Sequence, residues 1–305
     1  MLLWLGVLGV VLLVAAPFLW DWTRPTPEIR DAPGELVALG HGATHYRWFG
    51  PEEGPVVVAV HGLTTPMQAW QAVAEQLGQD GYRVLCYDLY GRGYSDPPVE
   101  KQDKAHFLGQ LTDLLSDQGI DEPFVLMGFS MGGAIVTDFA AAQPARVAQL
   151  VLVAPAGITQ TSWDVAAQKG ARALWNAWVF FGVKRVAFLR DLKKAAGQPS
   201  EVANIVPTQI WQLNQAGFWP AVRSSGRDFL GAEHAEAHRV IRDHDIPVLA
   251  IWAEEDDVIP LANMGKFARW NPKAQHEVIR GADHAVAYTH GREIAALVKA
   301  RIEAL

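Results

Sequence analysis

Apolar and polar positions divide this chain into a short charge-free opening and a long alternation of strand-like and helix-like runs. Residues 1–20 carry no charged side chain. About 20 such residues suffice to cross a bilayer as a helix, so residues 1–22 are expected to form an uncleaved transmembrane anchor. A cleaved signal peptide is the alternative. It should show a basic start and a small-residue cleavage site. Here no Lys or Arg precedes the apolar run, and Val14-Ala15-Ala16 leads into Pro17 and further apolar residues. Trp4, Trp20 and Trp22 bracket the segment as interfacial aromatics do. Arg24 and Arg30 favour a cytoplasmic location for the domain on the C-terminal side of the anchor, with secretion as the alternative. Residues 23–34 hold three prolines and scattered charges and read as a linker.

From Glu35 the alternation begins. Leu36-Val37-Ala38-Leu39 and Thr44-His45-Tyr46-Arg47-Trp48 read as an antiparallel pair joined at Gly40-His41-Gly42. Buried strands are expected at 56–60, 83–87, 124–127, 147–153, 247–252 and 276–279. Helices are expected at 67–79, at about 103–118, after residue 130, and from about 285 to 305. Continuous apolar strands alternating with helices imply an α/β fold, a mostly parallel sheet covered on both faces. The core is assigned to residues 35–156 and 246–305. Residues 157–245 contain no convincing buried strand, and they read as a helical cap over the carboxyl ends of the strands, where open α/β sheets keep their sites. Its aromatics, among them Trp163, Trp175, Trp178, Phe180, Phe181, Phe188, Trp211, Phe218 and Trp219, either line an acyl or aryl pocket or form the cap's own core.

Composition narrows the function. Half of the 305 residues are hydrophobic and 19% are charged, which suits a globular domain. A net charge of −7 without a Lys/Arg run argues against a nucleic-acid partner. The single cysteine, Cys86, lies in an apolar run and reads as a buried structural thiol. Metal-binding spacings such as C-x-x-C and H-E-x-x-H are missing, so no metal is expected.

Chemistry concentrates at Gly128-Phe129-Ser130-Met131-Gly132-Gly133, where the apolar run 124–127 gives way to a helix-like stretch. This is the G-x-S-x-G pattern in a strand–turn–helix context. A serine on such a strained turn needs small neighbours, which Gly128 and Gly132 supply. The helix then aims its positive end and the Met131 N–H at charge developing beside Ser130. A serine hydroxyl needs a base and a group that orients that base. His284, after the last expected strand, is the base candidate, with His290 its rival. Asp256, after the preceding strand, is the acid, while Glu254, Glu255 and Asp257 read as a solvated loop. The loop His61-Gly62-Leu63-Thr64 offers Leu63 N–H as a second oxyanion donor, with His61 structural.

Together these residues closely resemble the α/β-hydrolase family with a helical cap, over about residues 35–305. The matching pieces are His61-Gly62, the run Asp88-Leu89-Tyr90-Gly91-Arg92-Gly93-Tyr94-Ser95, Gly128 to Gly133, Asp256 to Pro260, and Gly281 to His284. Ala253 departs from the glycine frequent in relatives, and His290 stands near a common acidic position. The resemblance implies acyl transfer to water without a cofactor: Ser130 attacks, His284 relays the proton, Asp256 fixes the imidazole, and the Leu63 and Met131 amides hold the oxyanion. Serine at the elbow argues against the epoxide hydrolases and haloalkane dehalogenases of this family, which use aspartate there. Hydrolysis of lipophilic esters, such as monoacylglycerol-like substrates, is the expected activity. Carbon–carbon bond hydrolysis and perhydrolase or haloperoxidase-like activity are the enzymatic alternatives, and a non-catalytic binding protein on the same fold is the other.

Overall fold

The computed structural model describes residues 2–19, 23–25, 32–97, 100–159 and 171–304. Trp20, Trp22, Arg30 and Trp163, and half of the expected linker, lie outside the described residues. Its centre is an eight-stranded sheet in the order β1-β2-β4-β3-β5-β6-β7-β8. Glu35–Leu39 (β1) and Gly42–Phe49 (β2) form the antiparallel pair, and β2 also runs antiparallel to Arg83–Tyr87 (β4). All other neighbours are parallel: β4 with Val56–Val60 (β3), then Phe124–Phe129 (β5), Val147–Val153 (β6), Val248–Ala253 (β7) and Gln275–Ile279 (β8). The order reverses at β3, which puts a topological switch point beside β5.

The strand sequences explain the layers. Successive side chains of β3 point to opposite faces. Val58 and Val60 join one core with Phe107, Leu111, Ile135, Phe139, Ile241 and Phe267. Val57 and Ala59 join the other with Val73, Leu77, Val286, Ile294 and Val298. Helices Lys104–Asp117 (α3) and Met131–Ala142 (α4) therefore cover the first face and Gln71–Gln79 (α2) the second. Asp103 caps α3 by accepting the His106 N–H at 3.1 Å, which satisfies one of the orphan donors of its first turn.

Two expected helices differ in detail. The 67–79 segment opens as a 3₁₀ turn, Met67–Trp70, before α2. The terminal helix breaks into a short turn, Val286–Thr289, and Gly291–Glu303, because His290 between them has φ −131° and ψ 35°. Counting in chain order, Leu2–Leu19 is α1, the insertion holds Ala171–Val179 (α5), Arg185–Ala195 (α6), Ile205–Gln212 (α7) and Phe218–Asp228 (α8), and Ala235–Asp243 (α9) packs against α4. Asn263–Trp270 is α10, and the two terminal pieces are α11 and α12.

At 1.5 Å per residue the 18-residue α1 rises about 27 Å, short of the roughly 30 Å hydrocarbon core. Among the described residues no helix is long and apolar enough to cross a membrane. The expected spanning anchor, and the side of the membrane derived from it, therefore gain no support from the structure. Cys86 is fully buried on β4, and burial pushes its thiol up out of the reactive range.

Candidate active site

Ser130 stands between β5 and α4 with φ 53° and ψ −118°, a region that costs a non-glycine residue of order 1–3 kcal/mol. The surroundings impose this conformation. The Ser130 N–H donates to Val153 O at 3.0 Å, and Ser130 O accepts from the Gly133 and Ala156 amides, each at 2.9 Å. Both elbow glycines are required by close backbone approach. A Cβ on Gly128 would lie 2.4 Å from Gly132 O, and one on Gly132 would lie 2.1 Å from Val60 O.

The structure brings three of the sequence-predicted side chains into one line. His284 Nε2 lies 3.0 Å from Ser130 Oγ, and His284 Nδ1 lies 2.8 Å from Asp256 Oδ2. An ionised carboxylate only accepts, so Nδ1 carries the proton and donates to Asp256. Nε2 keeps its lone pair, which accepts from the Ser130 hydroxyl. Asp256 is fixed in turn, since its Oδ1 accepts the Val258 N–H at 2.8 Å and the Ile259 N–H at 2.7 Å. Its side chain is fully buried, whereas Glu254, Glu255 and Asp257 are exposed. The loops after β7 and β8 are sewn together: the Glu255 N–H donates to Ala282 O at 2.8 Å and the Gly281 N–H to Glu254 Oε2 at 2.9 Å. His290 lies apart, with Nδ1 2.9 Å from Thr289 Oγ1.

The loop after β3 reaches the serine from the other side. A Cβ on Gly62 would come within 3.3 Å of Ser130 Cβ. That contact places Leu63 beside the elbow, next to the N-terminal turn of α4, where Met131 has no preceding helical carbonyl to bond. His61 spends both nitrogens on structure: Nδ1 donates to Gly62 O at 2.8 Å and Nε2 accepts the Leu89 N–H at 2.9 Å. Burial pushes its pKa down to about 4, so the ring is neutral at pH 7.

Sequence reading missed how this loop is held. Arg92 is buried, and its guanidinium donates from Nε to Leu63 O at 3.1 Å, from Nη1 to Tyr90 O at 2.8 Å and to Gln102 Oε1, and from Nη2 to Ser225 Oγ on α8 at 2.6 Å. All four acceptors are neutral. Burial pushes its pKa down to about 9, which still leaves it charged at neutral pH. Gln212 on α7 makes a second clamp, donating to Thr64 O at 2.6 Å and accepting the Gly93 N–H at 3.1 Å. Asp88 organises the same region, accepting from His45 Nδ1 at 2.7 Å, Met67 N–H at 2.8 Å and Tyr94 N–H at 3.1 Å. Burial alone would raise its carboxyl, but the bonds from His45 and Met67 outweigh that and hold it below the usual range. The motif 88–95 was visible as a string, while the depth of Arg92 was not.

Several aromatics of the insertion pack into a cluster of its own, the second of the two expected uses. Phe180, Phe218 and Trp219 form a buried cluster with Leu213 and Val222, with Phe181 and Phe188 against it. Leu63 packs on the same cluster, so the loop beside Ser130 meets an apolar wall. Trp211 lies tilted against Tyr94 with centroids 4.6 Å apart, whereas Trp175 is 63% exposed and stacks on Trp178.

The family model described as alpha/beta hydrolase fold matches residues 55–291. The 2-hydroxymuconate semialdehyde hydrolase of Pseudomonas sp. strain CF600 is 30% identical over 79% of this chain and 84% of its own. A non-heme chloroperoxidase of Kitasatospora aureofaciens is 24% identical over 78% of this chain and 88% of its own. Among solved structures, an esterase from Rhodococcus sp. ECU1013 is similar with a TM-score of 0.66 and 26% identity, covering 89% of this chain and 98% of the esterase.

Proposed function

The chain belongs to the α/β-hydrolase family, and on that premise we propose that it is a serine hydrolase cleaving lipophilic carboxylic esters through an acyl-enzyme. One observation carries the proposal: the hydrogen-bonded line from Ser130 Oγ through His284 to Asp256. As Ser130 Oγ attacks the ester carbonyl carbon, its proton passes to His284 Nε2, and Asp256 stabilises the imidazolium. The carbonyl π electrons move to oxygen, and that oxyanion accepts from the Leu63 and Met131 N–H groups. On collapse the alkoxide leaves with the proton from His284. Water then attacks the acyl-Ser130 ester with His284 again as base, and the carboxylic acid departs.

The lipophilic preference is supported by the packing of Leu63 against the Phe180–Phe218–Trp219 cluster, which would present hydrocarbon to an acyl chain. We assign this wall to a cap of residues 157–245 on a core of residues 35–156 and 246–305. The buried cluster of Phe180, Leu213, Phe218, Trp219 and Val222, drawn entirely from the insertion, supports that division. Carbon–carbon bond hydrolysis is the second reading, favoured by the 30% identity to the semialdehyde hydrolase.

Purified protein and Ser130→Ala should be compared on p-nitrophenyl esters of graded chain length and on a ring-cleavage dienone. The expected result is ester turnover that Ser130→Ala reduces by at least about 10³-fold, with medium chains preferred over acetate. Serine-dependent turnover of the dienone alone would favour the second reading. Equal activity of the two proteins, with no fluorophosphonate labelling of Ser130, would sink both.

A further inference from the structure

The outer face of the cap carries an apolar-to-basic stripe that neither core explains. From Ala171 to Ala195 the backbone is one continuous helix, with a π turn, Phe180–Lys184, between α5 and α6. Its inner side packs into the cap, through buried Ala177 and Phe180 and through Phe188, Leu189 and Leu192 against the Trp219 cluster. Its outer side exposes Trp175, Val183 and Val186 at 63%, 53% and 59%, followed by exposed Arg190, Lys193 and Lys194. A π turn advances less per residue than an α turn, which brings Val183 under Trp175. The later spacings of three and four residues keep the rest on that face.

Charge sharpens the pattern. The chain as a whole is at −7, yet α6 sets four cations against Asp191 alone, two of them in its last turn. Arg190 pairs with Asp191 on the surface at 3.4 Å, and Lys193 and Lys194 extend the basic end. At the other end α1 leans on α5 and the π turn. There Trp4, Leu8, Leu12 and Val14 are each more than half exposed, so the apolar half of the stripe continues into a second apolar helix.

We propose that this face docks on a lipid bilayer bearing anionic headgroups. Trp175, Val183 and Val186 enter the boundary between acyl chains and headgroups, and Arg190, Lys193 and Lys194 meet the phosphates. A helix with an apolar stripe and basic flank binds such a surface through buried hydrocarbon and charge together. Docking through the cap requires no membrane-spanning helix and does not depend on the acyl chemistry at Ser130, so either proposal can fail alone.

The burial of Cys86 makes site-specific labelling clean. Full-length Val186→Cys, and Gln275→Cys on the edge strand β8 as control, are labelled with a nitrobenzoxadiazole fluorophore. Both are mixed with phosphatidylcholine vesicles, with and without phosphatidylglycerol. The expected result is a blue shift at position 186 only, stronger with phosphatidylglycerol, weakened by salt and quenched by nitroxide-labelled lipid. Adding Lys193→Glu and Lys194→Glu should raise the phosphatidylglycerol needed for half the shift by at least about tenfold, with hydrolysis of a soluble short-chain ester unchanged. A silent label at position 186 on both vesicle types would overturn the proposal. So would a label response that follows protein concentration without lipid, which would mark the face as a protein contact, or an unaltered lipid response after charge reversal.

Discussion

Asp256 and Asp257 are adjacent carboxylates with opposite surroundings. Asp256 is buried and accepts hydrogen bonds from two backbone amides and from His284 Nδ1–H, while Asp257 is exposed. Asp256→Asn leaves the shape but favours the wrong imidazole tautomer, so kcat should fall on the order of 10³–10⁴-fold. Asp257→Asn should stay within about twofold, because a solvated carboxylate stabilises little. Steady-state kinetics on one ester decide between them, and a larger loss in the Asp257 variant would shift the acid by one position. Arg92 works through geometry instead, since it holds the carbonyl of Leu63 and ties it to Ser225 on α8. Arg92→Met should lower kcat about tenfold to a hundredfold with a smaller change in KM, as a displaced positioning group does. Arg92→Lys should recover part of kcat by supplying one donor of the fork. Equal loss in both variants, tracking thermal stability alone, would reduce Arg92 to a structural role.

At the level of elements, the elbow depends on how closely α4 approaches β3. Gly132→Ala would place a methyl 2.1 Å from Val60 O, and Val60 is fully buried in a central strand with no room to retreat. A cost of about 3 kcal/mol is expected, seen as a lower urea midpoint. Gly265 on α10 is the contrast, because a Cβ there meets nothing within 4 Å. Gly265→Ala should stabilise by about 0.5–1 kcal/mol, through helix propensity alone. The elbow motif marks Gly132 in the sequence, and the neighbouring backbone shows what a side chain there would strike. The helix expected from about 285 to 305 illustrates a limit of sequence reading. Its apolar periodicity continues through His290, yet the chain breaks at that residue, with φ −131° and ψ 35°.

For the whole molecule, buried histidines couple folding to pH. Burial lowers His61 to about 4 and His238 to about 3, each from 6.5. Between those values and 6.5 the unfolded chain binds protons that the folded chain refuses, so stability rises with pH across the interval. Each contribution is complete above about 6.5 and is lost as pH falls through the folded value. For His61 it amounts to about 3 kcal/mol. Asp88, held below its ordinary range, adds loss in the same direction at still lower pH. Urea midpoints at pH 7 and pH 4.5 should therefore differ clearly, and His61→Asn should flatten the difference. A midpoint independent of pH would contradict neutral burial of these rings.

Local order along the chain determined much of this protein. Continuous apolar runs between helix-like stretches were enough for a parallel sheet, because a strand covered on both faces must be apolar throughout. Ser130, Asp256 and His284 were legible as candidates, because each follows a strand whose carboxyl end faces the same edge of the sheet. Charge-free residues 2–19 form the helix expected of them, but the spanning anchor read from the same run gains no support. Tertiary structure alone decided the rest. Burial gives the physical ground for Asp256 over Asp257, and the approach of Val60 O gives the ground for Gly132. Folding carries Arg92 and Gln212 from distant stretches of sequence onto the loop of Leu63. The cap aromatics were equivalent on paper, yet helix phase buries Phe180 and Trp219 and leaves Trp175 outside. Periodicity records which residues share a face of one element, and only packing records what that face meets.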